Sequence, residues 1–282
     1  MSAIRVWVDG ELVDPTAPSV RALDHGVTVG DGAFETCKVD RGQVFAMTRH
    51  LDRMDRTLAG LGLPAADRDR IREGADAVLA DGPEIGFGRL RWTITGGAGP
   101  LGSDRDDSPM TYIVTAAEMP RPSATAAIVT VPWTRNERAA TAGLKTTSYA
   151  ENVIALAHAK ARGGQEAIFG NTRGELCEAT GSNIFVVVDG ELWTPPLSSG
   201  CLAGITRELV VEWCREAGLE VREEAQPLSV LETADEVFIT SSARDVHPVD
   251  LVDGRALSAP GPVTAQAAQI WAAALEEKGI DP

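Results

Sequence analysis

The sequence predicts an α+β protein of two domains. Three observations carry this. Strand-like and helix-like patterns alternate along the whole chain, a proline-rich break divides them, and 282 residues suffice for two cores. The break is Glu118-Met119-Pro120-Arg121-Pro122-Ser123-Ala124, a stretch of linker composition. It assigns 1–118 to an N-terminal α+β domain, 119–125 to a linker and 126–282 to a C-terminal α+β domain.

Each element has its own signal. Alternating residues on either side of Asp9-Gly10 read as a hairpin, and those on either side of Asp40-Arg41-Gly42 read as a second. Thr48 is expected to cap a helix whose stripe of Leu51, Met54, Leu58 and Leu61 has helical spacing and stops at Gly62 and Pro64. A second helix is expected over 67–79. Strands are expected at 89–95 and 110–116, on either side of the loop Gly96-Gly97-Ala98-Gly99-Pro100. Past the linker, the pattern predicts a strand at 126–131, a helix over 148–162, and hairpins turning at Thr172-Arg173-Gly174 and Asp189-Gly190. A helix from Thr206 to residue 217, a strand at 236–240 and a helix over 262–278 complete the chain.

Composition narrows the function. The net charge of −15 repels a phosphate backbone, so nucleic-acid binding is not expected, while a small anion in a local basic pocket remains compatible. The longest apolar runs fall far short of the roughly 20 residues that span a bilayer. Without a signal-peptide core at the N-terminus, and with Cys37, Cys177, Cys201 and Cys214 irregularly spaced, the expectation is a cytoplasmic protein with reduced thiols. His25, His50, His158 and His247 lack metal-ligand spacing, so no metal is expected. The 96–99 glycines lack the lysine and helix of a phosphate loop and read as a flexible loop, and Asp104-Arg105-Asp106-Asp107 reads as a solvated charge run.

Lysine is scarce: Lys38, Lys145, Lys160 and Lys278 stand beside 22 arginines. Lys160 and Lys278 suit the C-terminal ends of helices. Lys145 sits among small neutral residues, a setting that suits an amine acting as a nucleophile.

The text around Lys145 carries further information. Lys145-Thr146-Thr147-Ser148-Tyr149-Ala150-Glu151-Asn152 is followed by Glu178-Ala179-Thr180-Gly181-Ser182-Asn183 and Leu202-Ala203-Gly204-Ile205-Thr206-Arg207. Gly30-Asp31-Gly32-Ala33-Phe34-Glu35-Thr36 and His50-Leu51-Asp52-Arg53-Met54 precede them. In order and spacing, this series resembles the class IV aminotransferases, which include branched-chain and D-amino-acid aminotransferases and aminodeoxychorismate lyases. The resemblance implies the two-domain, D-amino-acid aminotransferase-like fold of these pyridoxal 5'-phosphate enzymes, and a homodimer. It implies that Lys145 carries the cofactor covalently and that Glu178 keeps the ring nitrogen protonated. Tyr149, expected one helical turn beyond Lys145, would meet the cofactor's phenolic oxygen. Ile205, Thr206 (which doubles as a helix cap), Ser242 and Arg53 would hold the phosphate, with Arg49 and Arg56 alternatives to Arg53 on spacing.

The reaction is harder to read. Pro100-Leu101-Gly102-Ser103 stands where the D-amino-acid branch has an Arg-x-His pair. Phe34-Glu35-Thr36-Cys37-Lys38 departs from the branched-chain pattern, with Lys38 a point charge in place of an arginine fork. The Gly30–Thr36 pattern looks most like the aminodeoxychorismate lyases, which implies release of pyruvate and 4-aminobenzoate from 4-amino-4-deoxychorismate in folate biosynthesis. The alternative is an aminotransferase for a branched-chain or other small amino acid, with 2-oxoglutarate or pyruvate as acceptor. A cofactor-binding protein without turnover is the remote third reading. In the first two, a small anionic amine or amino acid meets Phe34, Lys38 and Arg91, with Arg135 or Arg138 adding positive potential.

Overall fold

The computed structural model describes residues 4–282. They form two compact units, one of 4–121 with 144–149 and residue 281, the other of 122–143 and 150–280 with residue 282. The short segment Leu144–Tyr149, expected in the C-terminal domain, therefore belongs to the first unit.

The first unit is built on a six-stranded antiparallel sheet. Its elements are β1 (Arg5–Val8), β2 (Glu11–Val13), α1 (His25–Thr28), β3 (Gly32–Asp40), β4 (Gln43–Val44), α2 (Met47–Leu61), α3 (Arg68–Ala80), β5 (Phe87–Thr95) and β6 (Thr111–Glu118). The strand order is β2-β1-β6-β5-β3-β4. Side chains alternate between faces along each strand. One face sends Cys37, Val39, Leu90, Trp92, Ile94 and Val114 into a core with Leu51, Met54 and Leu58 of α2 and Ile71 and Val78 of α3. Gly74 lets α3 lie close on the sheet, because a Cβ there would meet Val114 at 2.6 Å and Trp7 at 2.8 Å. Register puts Phe34 opposite Thr93, Thr36 opposite Arg91 and Lys38 opposite Arg89 on the other face.

Helix α2 ends at Gly62 (φ 70°), as the sequence predicts, but it does not begin at a Thr48 cap. Its N-cap is Ala46 in the left-handed region, and Thr48 lies within the first turn, donating from its N–H and hydroxyl to Asp281. A partner distant in sequence therefore replaces the local cap. Asp67, by contrast, caps α3 through the N–H groups of Asp69 and Arg70.

The second unit contains β7 (Ala126–Arg135), α4 (Ala150–Lys160), β8 (Glu166–Asn171), β9 (Leu176–Ala179), β10 (Asn183–Val188), β11 (Glu191–Thr194), α5 (Ile205–Glu216), β12 (Val221–Glu223), β13 (Glu236–Ser241), β14 (Asp245–Val252), β15 (Arg255–Ala256) and α6 (Pro262–Lys278). The strands run in the order β12-β11-β10-β13-β14-β7-β8-β9, with β15 on β14. Helix α4 connects the parallel pair β7 and β8 and packs Ala155 and Ala159 against Val129, Val131 and Phe169. Phe185 and Phe238, partners across β10 and β13, stack at 4.6 Å, while Trp213 of α5 meets Trp271 of α6 at 4.8 Å. The sequence pattern missed β12, β14 and β15, whose short or prolyl-containing runs give little alternation. No helix among the described residues is long and apolar enough to cross a membrane.

Candidate functional site

In the first unit, Lys145 is held by main-chain pairing rather than by a helix. Phe34 N–H donates to the Lys145 carbonyl at 3.1 Å, Thr147 N–H donates to the Gly32 carbonyl at 2.8 Å, and Ala33 bridges Thr146. The Thr147 and Ser148 hydroxyls donate to the Gly30 carbonyl. Residues 145–149 are therefore an added piece along β3, and α4 begins only at Ala150. The expectation that Tyr149 lies one helical turn beyond Lys145 is thus corrected. Tyr149 instead approaches through Phe34, the two rings meeting edge to face at 5.1 Å.

Phe34 is the centre of this group. Lys145 Nζ lies 4.4 Å from its ring centroid and Arg91 Cζ 3.8 Å, while Lys145 Nζ is 5.9 Å from the Tyr149 ring. Burial pushes the Arg91 guanidinium below its ordinary value. Arg91 donates to Thr93 at 3.3 Å and, among the described residues, makes no ion pair with a carboxylate. A half-buried cation in that condition favours an incoming anion. Lys38, on the same face, is buried with Nζ 4.8 Å from the Phe45 ring. Phe34, Arg91, Lys145 and Tyr149 are thus brought together, with Lys38 two residues farther along β3.

The opposite face of β3 carries a group the sequence reading did not assemble. Glu35 and His50 are 0% exposed, and Arg53 is 5% exposed. Arg53 grips Glu35 with Nε at 2.8 Å and Nη2 at 2.6 Å, while His50 Nδ1 lies 2.7 Å from the same carboxylate. Burial alone would raise the Glu35 pKa, but the charge and hydrogen bonds of Arg53, aided by His50, hold it well below the usual carboxylate range. Burial pushes His50 down, against the pull of Glu35. The available signal was parity: Glu35 shares a face with Cys37 and Val39, and His50 and Arg53 sit three apart on α2. Arg53, expected to hold a phosphate, thus has its guanidinium plane fixed by a carboxylate. Arg49 and Arg56 lie elsewhere around α2, partly or fully exposed.

The second unit brings together Glu178, the start of α5 and the end of β13. Glu178, on β9, accepts from Arg135 Nε at 3.2 Å and from the Leu202 N–H at 3.0 Å. Asn183 donates to the Leu202 carbonyl at 2.8 Å and pairs with Thr240 across the strands. A Cβ on Gly204 would lie 1.9 Å from Asn183 Oδ1, so only glycine lets the chain enter α5 here. Gly204 is the helix N-cap and no side chain caps the helix. Thr206 lies in the first turn and is not the cap, which corrects the sequence expectation. Ile205 opens the same turn, so the donors and positive end of the helix dipole are left to an anion.

Two hydroxyls there are orphaned. Among the described residues, Thr206 Oγ1 and Thr240 Oγ1 are buried without a hydrogen-bond partner, in residues 2% and 1% exposed. Buried hydroxyls are normally satisfied, so this pair fits a ligand bearing anionic oxygens. The residues present therefore fit the phosphate of the expected cofactor. Ser242 is half-buried in the turn after β13. In the hydroxyl-rich stretch 240–243, where the resemblance points to Ser242, the Thr240 hydroxyl is the one that lies buried without a partner among the described residues.

Three further expectations are corrected. Arg135 is not an independent source of positive potential for a substrate, because it is committed to Glu178, Asn152 and Glu151. Arg138 is exposed beside Glu137. Arg105, read as part of a solvated charge run, grips Asp31 at 2.6 and 2.7 Å and donates to the Leu61 and Gly62 carbonyls. The 96–99 loop is also pinned, with Gly96 N–H on the Asp31 carbonyl and Gly99 N–H on the Leu23 carbonyl.

Comparison with known proteins gives these features a family. A protein from Methanocaldococcus jannaschii named "Putative branched-chain-amino-acid aminotransferase" is 33% identical over 261 residues, covering 90% of both chains. A D-alanine aminotransferase from Listeria monocytogenes is 29% identical over 283 residues, covering 95% of both. The crystal structure of the Escherichia coli branched-chain amino acid aminotransferase superposes with a TM-score of 0.86 at 26% identity, covering 94% of this chain and 92% of that one. The model of amino-transferase class IV matches residues 32–252, and the chain belongs to that family of pyridoxal phosphate enzymes.

Proposed function

We propose that this chain is an aminotransferase that takes a small amino acid of the branched-chain kind and passes its amino group to 2-oxoglutarate or pyruvate. The observation that carries the proposal is Phe34, with the Lys145 amine and the carboxylate-free Arg91 guanidinium both against its ring. An α-amino acid bears its carboxylate on the same carbon as its amino group, so a carboxylate on Arg91 would leave that carbon within reach of the Lys145 amine. The names of the relatives support aminotransfer over the lyase drawn from the Gly30–Thr36 pattern, which is the weaker reading. Pro100-Leu101-Gly102-Ser103, in place of an Arg-x-His pair, favours the L-amino acid over the D-amino acid.

When bound, pyridoxal phosphate supplies an electron sink for the carbon that bears the amino group. In the proposal, Lys145 would hold the cofactor until the substrate's amino group takes its place there, and the Nζ so freed would take the proton from that carbon. Arg91 binds the substrate carboxylate, with Phe34 and Lys38 shaping the same face. Glu178 keeps a proton on the ring nitrogen, and Tyr149 orients the ring through its phenolic oxygen. Ile205, Thr206, Ser242 and Arg53 hold the phosphate. A cytoplasmic homodimer belongs to the same proposal, and sedimentation reads its assembly.

The test is turnover with substrates side by side. L-Leucine, L-valine, L-alanine and D-alanine are each supplied with 2-oxoglutarate or pyruvate, and 4-amino-4-deoxychorismate is supplied without acceptor. The expected result is acceptor-dependent keto-acid formation from the branched-chain L-amino acids. In Lys145→Ala, turnover falls by at least about 10³-fold and the borohydride-sensitive yellow band disappears. Pyruvate and 4-aminobenzoate released without acceptor, with no turnover of amino acids, overturn the proposal in favour of the lyase.

A further inference from the structure

We infer that Arg135 is a positioning residue for Glu178, one that fixes its carboxylate and sets how readily the bound cofactor takes up a proton. The inference rests on the proposed placement of the cofactor's ring nitrogen at Glu178.

Arg135 ends β7 and is largely buried, its side chain 16% exposed. Its guanidinium lies 4.1 Å from the ring centroid of fully buried Phe169, the residue that pairs with Glu178 across β8 and β9. Every nitrogen is directed. Nε donates to Glu178 at 3.2 Å, Nη2 donates to Asn152 Oδ1 at 2.9 Å, and Nη1 donates to Glu151. Asn152 in turn donates to the Thr180 carbonyl at 2.6 Å, just beyond the strand that bears Glu178. Arg135 therefore ties Glu178 to the first turn of α4 and to the 180–183 turn, all within one unit. The Leu202 N–H holds the second carboxylate oxygen, so both oxygens have fixed directions.

This arrangement has an electrostatic consequence. A guanidinium stays charged at any working pH, and here it shares a carboxylate with the group that carboxylate serves. Its field opposes a second positive charge nearby and makes protonation of the bound cofactor harder than Glu178 alone would. Glu151, half exposed on the far side of the guanidinium, offsets part of that field.

The experiment titrates the visible band of the purified, cofactor-loaded protein with pH. In Arg135→Gln the midpoint rises by about one pH unit, a tenfold gain in proton affinity, and Arg135→Lys brings it most of the way back. Glu151→Gln, a change at an exposed position, moves the midpoint the other way by a smaller amount, and this keeps the inference testable if Arg135→Gln fails to fold. The kcat falls in Arg135→Gln with little change in KM. Midpoints unchanged in Arg135→Gln or Glu151→Gln, with the band intact, overturn the inference and leave the site reading standing. A wild-type protein that lacks a borohydride-sensitive band overturns the site reading and this inference with it.

Discussion

Two buried polar groups in this protein differ in completeness. Around Glu35, three hydrogen bonds tie a buried carboxylate to a buried guanidinium and imidazole of the first unit. At the start of α5 and the end of β13, Thr206 and Thr240 keep buried hydroxyls without partners among the described residues. Charges are costly to bury and are tolerated when mutually paired, whereas an orphaned hydroxyl costs stability until something binds it. The first group is thus a keystone of the folded chain. The second spends stability on readiness for a ligand.

The largest effect should come from breaking the keystone. Glu35→Gln leaves Arg53 and His50 buried without their anion, and chemical denaturation should show a loss of about 3–5 kcal/mol. A loss below about 1 kcal/mol would remove the contrast between the two groups.

The hydroxyls should behave in the opposite way. Thr206→Val or Thr240→Val should leave the cofactor-free protein as stable as before or slightly more so, since no hydrogen bond is broken. Each should weaken binding of pyridoxal phosphate by about tenfold or more, the worth of a hydrogen bond to a charged oxygen at about 1.5–3 kcal/mol. Equilibrium dialysis reads the affinity and thermal unfolding of the cofactor-free protein reads the stability.

The comparison sharpens with pH. His50 is held below its ordinary value of 6.5, so the unfolded chain takes up that proton first and stability falls as pH drops below about 6.5. Glu35 is held below 4.5, so the unfolded chain again binds the proton first and the decline steepens below about 4.5. In Glu35→Gln the steepening near 4.5 should shrink, whereas in Thr206→Val the profile should keep its shape.

What the sequence reveals follows from the range of each interaction. The stop of α2 was legible because Gly62 supplies the left-handed turn, and α3, expected over 67–79, starts one residue later because Asp67 serves as its cap, and also ends one residue later. Lys145 stood out through composition, as a lysine among arginines with small neighbours. Interactions across long sequence separations were not legible. Thr48 finds its partner at Asp281, Arg105 finds Asp31, and Arg135 is committed to Glu178, so none behaves as its neighbours in sequence suggest. Thr206 is not the cap because the helix begins before it, at Ile205, with the N-cap position taken by Gly204, where Asn183 leaves no room for a side chain. The Glu35 group was legible in principle from strand parity and helix spacing, yet no single run of residues contains it.

The membership of Leu144–Tyr149 in the first unit has a consequence for dissection of the chain. The polypeptide leaves that unit after Arg121, returns for six residues and leaves again. A cut at the proline-rich break would yield an amino-terminal fragment whose Gly30 and Gly32 carbonyls had lost Thr147, and a carboxy-terminal fragment carrying Lys145 without the strand that immobilises it. Neither piece would be a self-sufficient module, since Lys145 and the strand that holds it would lie on different pieces.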